Sequence, residues 1–297
     1  MYKSALQNFM TEIVNPLSDG AFRSAKDYFE ANKDRLSDEF AGSFSSLLEK
    51  IEQKQKYNPA YRLGFIEYAM LRTSITDGSY KYRLTAYNTD WYYDNSDCCT
   101  YYDALWAFGC FDDMAQTLRR EAKKYVSKIH DYHIDNIIQD EALRFNQLIV
   151  DLGRYTIPKF EHNDYLSDIS MSDIVDVRIG EYFDITYSIY KFDKRKLDSD
   201  ETKSLLEEKT TTHYGSFKNL NLAEGSYPEA DFCFCDFSGS DFANSNFANS
   251  NLIGTSWRNC NLESTDFSYC DLSGADFRGA SMETTHFKMA KLPNTIW

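Results

Sequence analysis

Every fifth residue from Phe217 to Trp297 is large and apolar, and this regularity constrains the fold more than any other feature of the chain. No step is skipped. Two residues before each of these positions stands a small side chain, as in Ala230, Cys235, Ser240, Ser245, Ser250, Thr255 and Cys260. The exception, Leu220, lies at the entrance to the series, where terminal repeats are commonly atypical.

A period of five fits neither an α-helix nor a flat strand. It fits a chain that turns a corner every five residues and closes a coil every twenty. The large residue fills the coil, and the small one lets the wall approach the axis. The other three positions face water and are mostly Asp, Asn, Ser, Gly or charged. Coils stacked through backbone hydrogen bonds at about 4.8 Å would make roughly four coils and a rod about 20 Å long.

Sampling every twenty residues sorts the core into four walls. The first holds Phe217, Phe237, Trp257, Phe277 and Trp297, and the second Leu222, Phe242, Leu262 and Met282. The third holds Tyr227, Phe247, Phe267 and Phe287, and the fourth Phe232, Leu252, Leu272 and Leu292. The first and third, which oppose each other, are aromatic. Trp297 is expected to plug the last coil or, in a homodimer, to meet a second copy.

The segments Ala230-Asp231-Phe232, Ser240-Asp241-Phe242, Ser245-Asn246-Phe247 and Ala275-Asp276-Phe277 match the motif Ala-(Asp/Asn)-(Leu/Phe)-x-x. In this the region from about 216 to 297 resembles the pentapeptide-repeat family. The resemblance implies a right-handed quadrilateral β-helix acting as a binding surface. It also implies a narrower alternative, since well-known members of the family resemble DNA and occupy the DNA-binding saddle of gyrase. Charge weighs against that alternative. From Ser216 onward ten acids face five bases, a net charge of −5. A duplex of similar length would carry roughly 12 negative charges.

The chain changes character near residue 205. Residues 1–192 read as a mainly α-helical domain with a β-hairpin. Helices are expected over 3–15, 22–35, 38–56, 60–74, 101–129 and 133–155, with one or two more between 164 and 192. Asn15-Pro16 and Asn58-Pro59 mark breaks. The hairpin would pair 79–87 with Trp91-Tyr92-Tyr93. The polar residues 193–215 read as a connector, with a short helix around Leu205 and Leu206.

The net charge of −14 argues against direct nucleic-acid binding and suits a protein partner with a basic groove. The seven irregularly spaced cysteines suggest reduced thiols and a cytoplasmic location. There is no long apolar run for a membrane span, and the segment from Met1 to Ala5 lacks a signal-peptide core. No catalytic or cofactor fingerprint is present, so no cofactor or metal is expected. In the repeat register Cys235 points inward and Cys233 outward, so the two cannot share an ion. His130 and His133 are two ligands where zinc needs three or four.

Two surfaces remain as candidates for partner binding. One is the Tyr/Trp-rich region 80–106, with Arg83, Trp91, Tyr92 and Tyr93, which reads either as a ligand or enzyme site or as an aromatic core. The other lies outside the repeat. There Lys218, Arg258 and Arg278 form a basic stripe along the first wall, while Cys233, Phe234 and Ile253 form an apolar patch that would dock the helical domain or a partner. The leading expectation is a non-enzymatic interaction module or scaffold whose partner is another protein.

Overall fold

The computed structural model describes residues 5–95, 97–126, 128–162, 166–182, 184–208 and 211–297. The first four residues of the leader reading and residues 209–210 of the connector lie outside these. The chain divides into two compact units, Met1–Tyr190 and Lys191–Trp297. No described helix is long and apolar enough to cross a membrane.

The first unit is largely helical, but its centre is a five-stranded sheet and not a lone hairpin. Helix α1 (Ala5–Phe9) runs through a π-helical turn into α2 (Asn15–Tyr57). Strand β1 (Leu63–Met70), α3 (Arg72–Thr76), β2 (Lys81–Asn88) and β3 (Cys99–Asp103) follow. Then come α4 (Leu105–Phe108), α5 (Phe111–Ala122), α6 (Asp131–Thr156), β4 (Met171–Glu181) and β5 (Thr186–Asp193). The strand order is β3-β2-β1-β4-β5, with β1 antiparallel to β2 and parallel to β4.

Several sequence expectations are corrected here. The helix expected over 60–74 is β1 followed by the single turn α3. The helices expected between 164 and 192 are β4 and β5, and the alternation Val175-Asp176-Val177-Arg178-Ile179 is the strand period that this reading passed over. The hairpin partner of β2 is β3, and Trp91–Tyr93 is a 3-10 turn. The expected helix over 101–129 is divided among β3, α4 and α5. Asn15-Pro16 does not break the helical run. Pro16 lies just past the π-helical turn Met10–Val14, where Asn15 N–H bonds the Met10 carbonyl and the widened ladder accommodates the donor that proline lacks. The real irregularity is Asn32, at φ −122° and ψ 15°, inside α2.

Alternation along the strands divides the sheet faces. Tyr68, Tyr82 and Tyr102 lie on the face that meets the helices: Phe40 of α2 stacks on Tyr68 at 4.5 Å, and the Tyr82 hydroxyl donates to Asn146 of α6 at 2.6 Å. Gly153 lets α6 come close, because a Cβ there would lie 2.7 Å from both Ile179 and Ile189. The opposite face carries Glu67, Arg83 and Thr85 with Asp176 and Arg178.

The second unit carries the repeat. Parallel bridges link residues twenty apart, from Ser216↔Asp236 through Asp276↔Ile296, at four positions per coil. Large side chains pile up inside. In the first wall Phe217, Phe237, Trp257, Phe277 and Trp297 stack in series with centroids 4.8–6.2 Å apart. In the third wall Tyr227, Phe247, Phe267 and Phe287 follow at 4.8–5.5 Å.

The motif has a local physical basis. From Phe232 to Leu292 each core residue opens a four-residue turn closed by a hydrogen bond, as in Cys235 N–H to the Phe232 carbonyl, whereas the amides of Leu220, Gly225 and Ala230 donate to Ser240, Ser245 and Ser250 of the next coil. The third turn residue has a positive φ at every corner from Tyr214 to Gly279, the requirement of a type II turn. Asn and Gly recur there because they tolerate that region best. The Asp or Asn before a core residue commonly accepts the amide two residues on, as Asp241 Oδ1 does from Ala243 at 2.9 Å, with Asp231 and Asn251 the exceptions. The small inward residues are often Ser, Thr or Cys because they donate to a carbonyl of the preceding coil. Ser240 reaches the Phe217 carbonyl, Thr265 that of Phe242 and Cys270 that of Phe247.

The stretch expected to be a connector is in large part folded onto the solenoid. It holds α7 (Ser199–Glu207), whose N-cap Asp198 accepts from the amides of Asp200 and Glu201. Leu206 of α7 is fully buried in the solenoid core. Ser199 Oγ and Glu207 Oε1 accept the amides of Asn221 and Ser226, both at 3.0 Å, and so satisfy donors of the first coil edge. At the other end Trp297 stacks on Phe277 and remains 57% exposed.

Candidate interaction surface and polar clusters

Because the core fixes the walls, the outward positions form ladders with one rung per coil. On the first wall the ladder is self-neutralising. Lys218 lies 3.7 Å from Asp236. Arg258 and Arg278 both pair with Asp276, at 2.6 and 2.7 Å. Burial opposes ionisation of Asp276, yet the two guanidinium groups hold its carboxyl below the usual carboxylate range. The three basic residues are therefore aligned as the sequence suggests, but two aspartates lie among them.

The second wall is different. Glu263 and Glu283 follow each other after core residues Leu262 and Met282, Glu224 occupies a corner, and Asp241 precedes Phe242. Glu224, Glu263 and Glu283 are exposed. Among the described residues no ion pair involves any of these four acids.

On the fourth wall the Phe234 ring stacks on Tyr214, centroids 5.1 Å apart and 4° from parallel, and covers Gly254 on the next coil. Phe234 and Ile253 are half-buried, so the patch is less open than its sequence suggests. Cys235 is buried and Cys233 half-buried, on opposite sides of the wall. Burial pushes the Cys235, Cys260 and Cys270 thiols up to about 12, which leaves them protonated packing residues. Cys233 is also pushed up to about 12, by burial and by the Asp231 carboxylate. His213 Nε2 lies 3.0 Å from Asp231 Oδ2, and the donor atoms of His213, Asp231 and Cys233 all fall within 4.8 Å of one another. This cluster escaped the sequence reading, although the spacing of twenty between His213 and Cys233 was its signal.

The aromatic region of the first unit splits. Tyr80, Tyr82, Tyr87 and Tyr102 are buried, whereas Tyr93 is 88% exposed. Arg83 donates to the Tyr182 hydroxyl at 2.8 Å and to Asp97 at 3.2 Å. Trp91 packs edge-on against Phe65 at 3.8 Å, with Arg178 above its ring. Tyr92 donates to Glu67 Oε1 at 2.6 Å, and Tyr87 to Glu67 Oε2 at 3.3 Å. Burial pushes the Glu67 carboxyl above its usual range, against the opposing effect of the Tyr92 and Tyr87 hydroxyls and of Arg178. Sequence reasoning missed Glu67, because a single acid in an apolar run carries no pattern. A cavity of about 360 Å³ lies elsewhere, lined by Ser37, Asp38, Gly42, Ser45, Thr156 and Lys159 among others. His133 Nδ1 accepts the His130 amide at 3.0 Å, at the start of α6.

A solenoid with a corner every five residues defines the class of the second unit, and comparison with known families agrees. The family model for pentapeptide repeats matches residues 216–252 and 245–283, in eight copies. No curated protein matches the chain. Among solved structures it is similar to the pentapeptide repeat protein Rfr23 of the cyanobacterium Cyanothece 51142, at 26% identity and TM-score 0.23 over 29% of this chain and 63% of that one. It is similar to a pentapeptide repeat protein of the Arabidopsis thaliana thylakoid lumen, at 18% identity and TM-score 0.25 over 30% and 64%. It is also similar to QnrB1, a plasmid-mediated fluoroquinolone resistance protein, at 25% identity and TM-score 0.24 over 29% and 42%. The chain thus spans less than two thirds of each of these three proteins.

Proposed function

We propose that the repeat unit is a protein-interaction module, a right-handed quadrilateral β-helix whose outer face is held stiff by its stacked core. A preorganised surface loses little conformational entropy on binding. The observation that supports this reading is the acidic second wall, where Glu263 and Glu283 stand on successive rungs of one ladder and Glu224 and Asp241 occupy other registers of the same wall. Like charges on adjacent rungs, about 4.8 Å apart, are destabilising. A face arranged only for stability would bridge its like charges with a counter-ion, as Asp276 does between Arg258 and Arg278. The ladder suits a protein partner with a basic groove, and the seven free thiols suit a cytoplasmic setting.

Affinity capture from cell extract tests this with the intact protein and an E263K/E283K variant. Partners captured by the first and lost by the second are expected. Identical captured sets would overturn the role of the ladder. A narrower reading is a DNA mimic acting on gyrase. Four acids against roughly 12 charges on a duplex of similar length weigh against it. A supercoiling assay with and without a quinolone, unchanged by micromolar protein, would end it. An enzyme or ligand site over 80–106 gains little from the geometry, because the hydroxyls of Tyr82, Tyr87 and Tyr92 already have partners within the unit.

A further inference from the structure

His213 stands one coil below Cys233. The amides of Thr212 and Tyr214 donate to the carbonyls of Asp231 and Cys233, both at 3.2 Å, and this fixes the register. Phe232 is fully buried in the core, so its neighbours Asp231 and Cys233 project outward together by strand alternation. His213, set by the same pairing, lies beside them with Nε2 3.0 Å from Asp231 Oδ2. Three chemically different donors, an imidazole nitrogen, a carboxylate oxygen and a sulfur, converge within 4.8 Å on one outer wall.

A second observation points to a ligand. Asp231 Oδ1 is buried, and no hydrogen bond of normal geometry reaches it among the described residues. The Cys233 amide and thiol and His213 are the donors near this carboxylate, and a cation would complete its coordination. The next coil carries Asn251 and Ile253 in place of Asp231 and Cys233, so the donor set does not recur above. It is also the only such grouping of three or more His, Cys, Asp or Glu among the described residues.

We propose that His213, Asp231 and Cys233 form a site for a divalent ion of the zinc class. Zinc takes nitrogen, oxygen and sulfur donors in a tetrahedron, and its usual bond lengths hold them roughly 3.3–3.8 Å apart. The observed separations, from 3.0 Å for His213–Asp231 to at most 4.8 Å, bracket that range, so small side-chain adjustments reach it. The thiol proton leaves to solvent as the Zn–S bond forms. His213 is exposed, so a fourth position is open to water or to a donor from a partner. The ion would tie residues 211–215 to the first complete coil and lock the entrance of the solenoid.

Cobalt(II) titration of the intact protein tests this, because a thiolate–cobalt bond has its own charge-transfer absorption. About one equivalent is expected to bind with that band and to be displaced by zinc. H213Q and C233S should each abolish the band and weaken zinc binding about 100-fold, and C110S, at a thiol of the first unit, should change neither. Absence of the band, or its survival in both H213Q and C233S, would overturn the site. Should either variant fail to fold, X-ray absorption of the zinc-loaded intact protein decides. One sulfur at about 2.3 Å with nitrogen or oxygen at about 2.0–2.2 Å supports the site. A shell of sulfur alone, or with no sulfur, refutes it.

Discussion

Phe247 in the repeat unit and Phe40 in the sheet unit are both fully buried, yet their neighbours are chosen by different rules. Phe247 meets Tyr227 below, tilted by 32°, and stacks on Phe267 above because both lie twenty residues away in sequence. Phe40 stacks on Tyr68 and meets Tyr102 edge-on, at sequence separations of 28 and 62 that follow no repeat period. In a repeat each coil answers mainly to its neighbours, so stability is close to a sum of local terms. In the sheet unit one contact depends on long-range placement of α2, α6 and five strands.

The largest expected effects come from emptying core sites, and they separate the two rules. Trp257→Ala, at a fully buried site in the middle of the stack, should destabilise by about 3–5 kcal/mol by denaturant titration. Met282→Ala, in the half-buried last coil, should lose clearly less, about 1–2 kcal/mol. Equal losses would mean that the solenoid does not behave as stacked local units. In the sheet unit, Tyr82→Phe strands Asn146 in the interior and should cost about 1–3 kcal/mol.

The two units should also answer pH in opposite directions. Burial raises the Glu67 carboxyl, so the native state keeps that proton after the unfolded chain has lost it at about pH 4.3. Stability of the sheet unit therefore falls as pH rises from there through the native value. Asp276 is the reverse case, because Arg278 and Arg258 outweigh its burial and hold it low. Its contribution is complete above about pH 3.9 and is lost as pH falls through the native value. Hydrogen exchange followed by peptide should show the first slope removed by Glu67→Gln and the second by Asp276→Asn. The same slope in both units would contradict these assignments.

The smallest effect is the most informative about function. Glu263→Lys places a cation beside Glu283 and should stabilise the repeat unit by about 0.2–1 kcal/mol while weakening partner capture. A stabilised protein with undiminished capture would assign the ladder no part in binding.

The same contrast decides what was legible in the sequence. The coil, its walls and the inward Cys235 could be read because each position is stated again every twenty residues. The sheet could not, because β1 is a short apolar run that serves a strand or a helix equally well, and Glu67 within it has no periodic partner. Strand β4 was legible in principle, since Val175, Val177 and Ile179 alternate with Asp176 and Arg178. Its pairing with β1, more than a hundred residues away, was not. The folding of α7 onto the first coil was hidden for the same reason: a polar segment of low periodicity buries Thr202 and Leu206 by tertiary context. On the surface, the basic stripe was visible, but its neutralisation by Asp236 and Asp276 needed coil-to-coil register. The grouping of His213 with Cys233 needed it too.

Cross-linking mass spectrometry of the intact protein with a captured partner tests the central claim most directly. Links should concentrate on the repeat unit, at Lys203, Lys218, Lys288 and Lys291. Links confined to lysines of residues 1–190, with none on the repeat, would contradict a binding surface built on the solenoid.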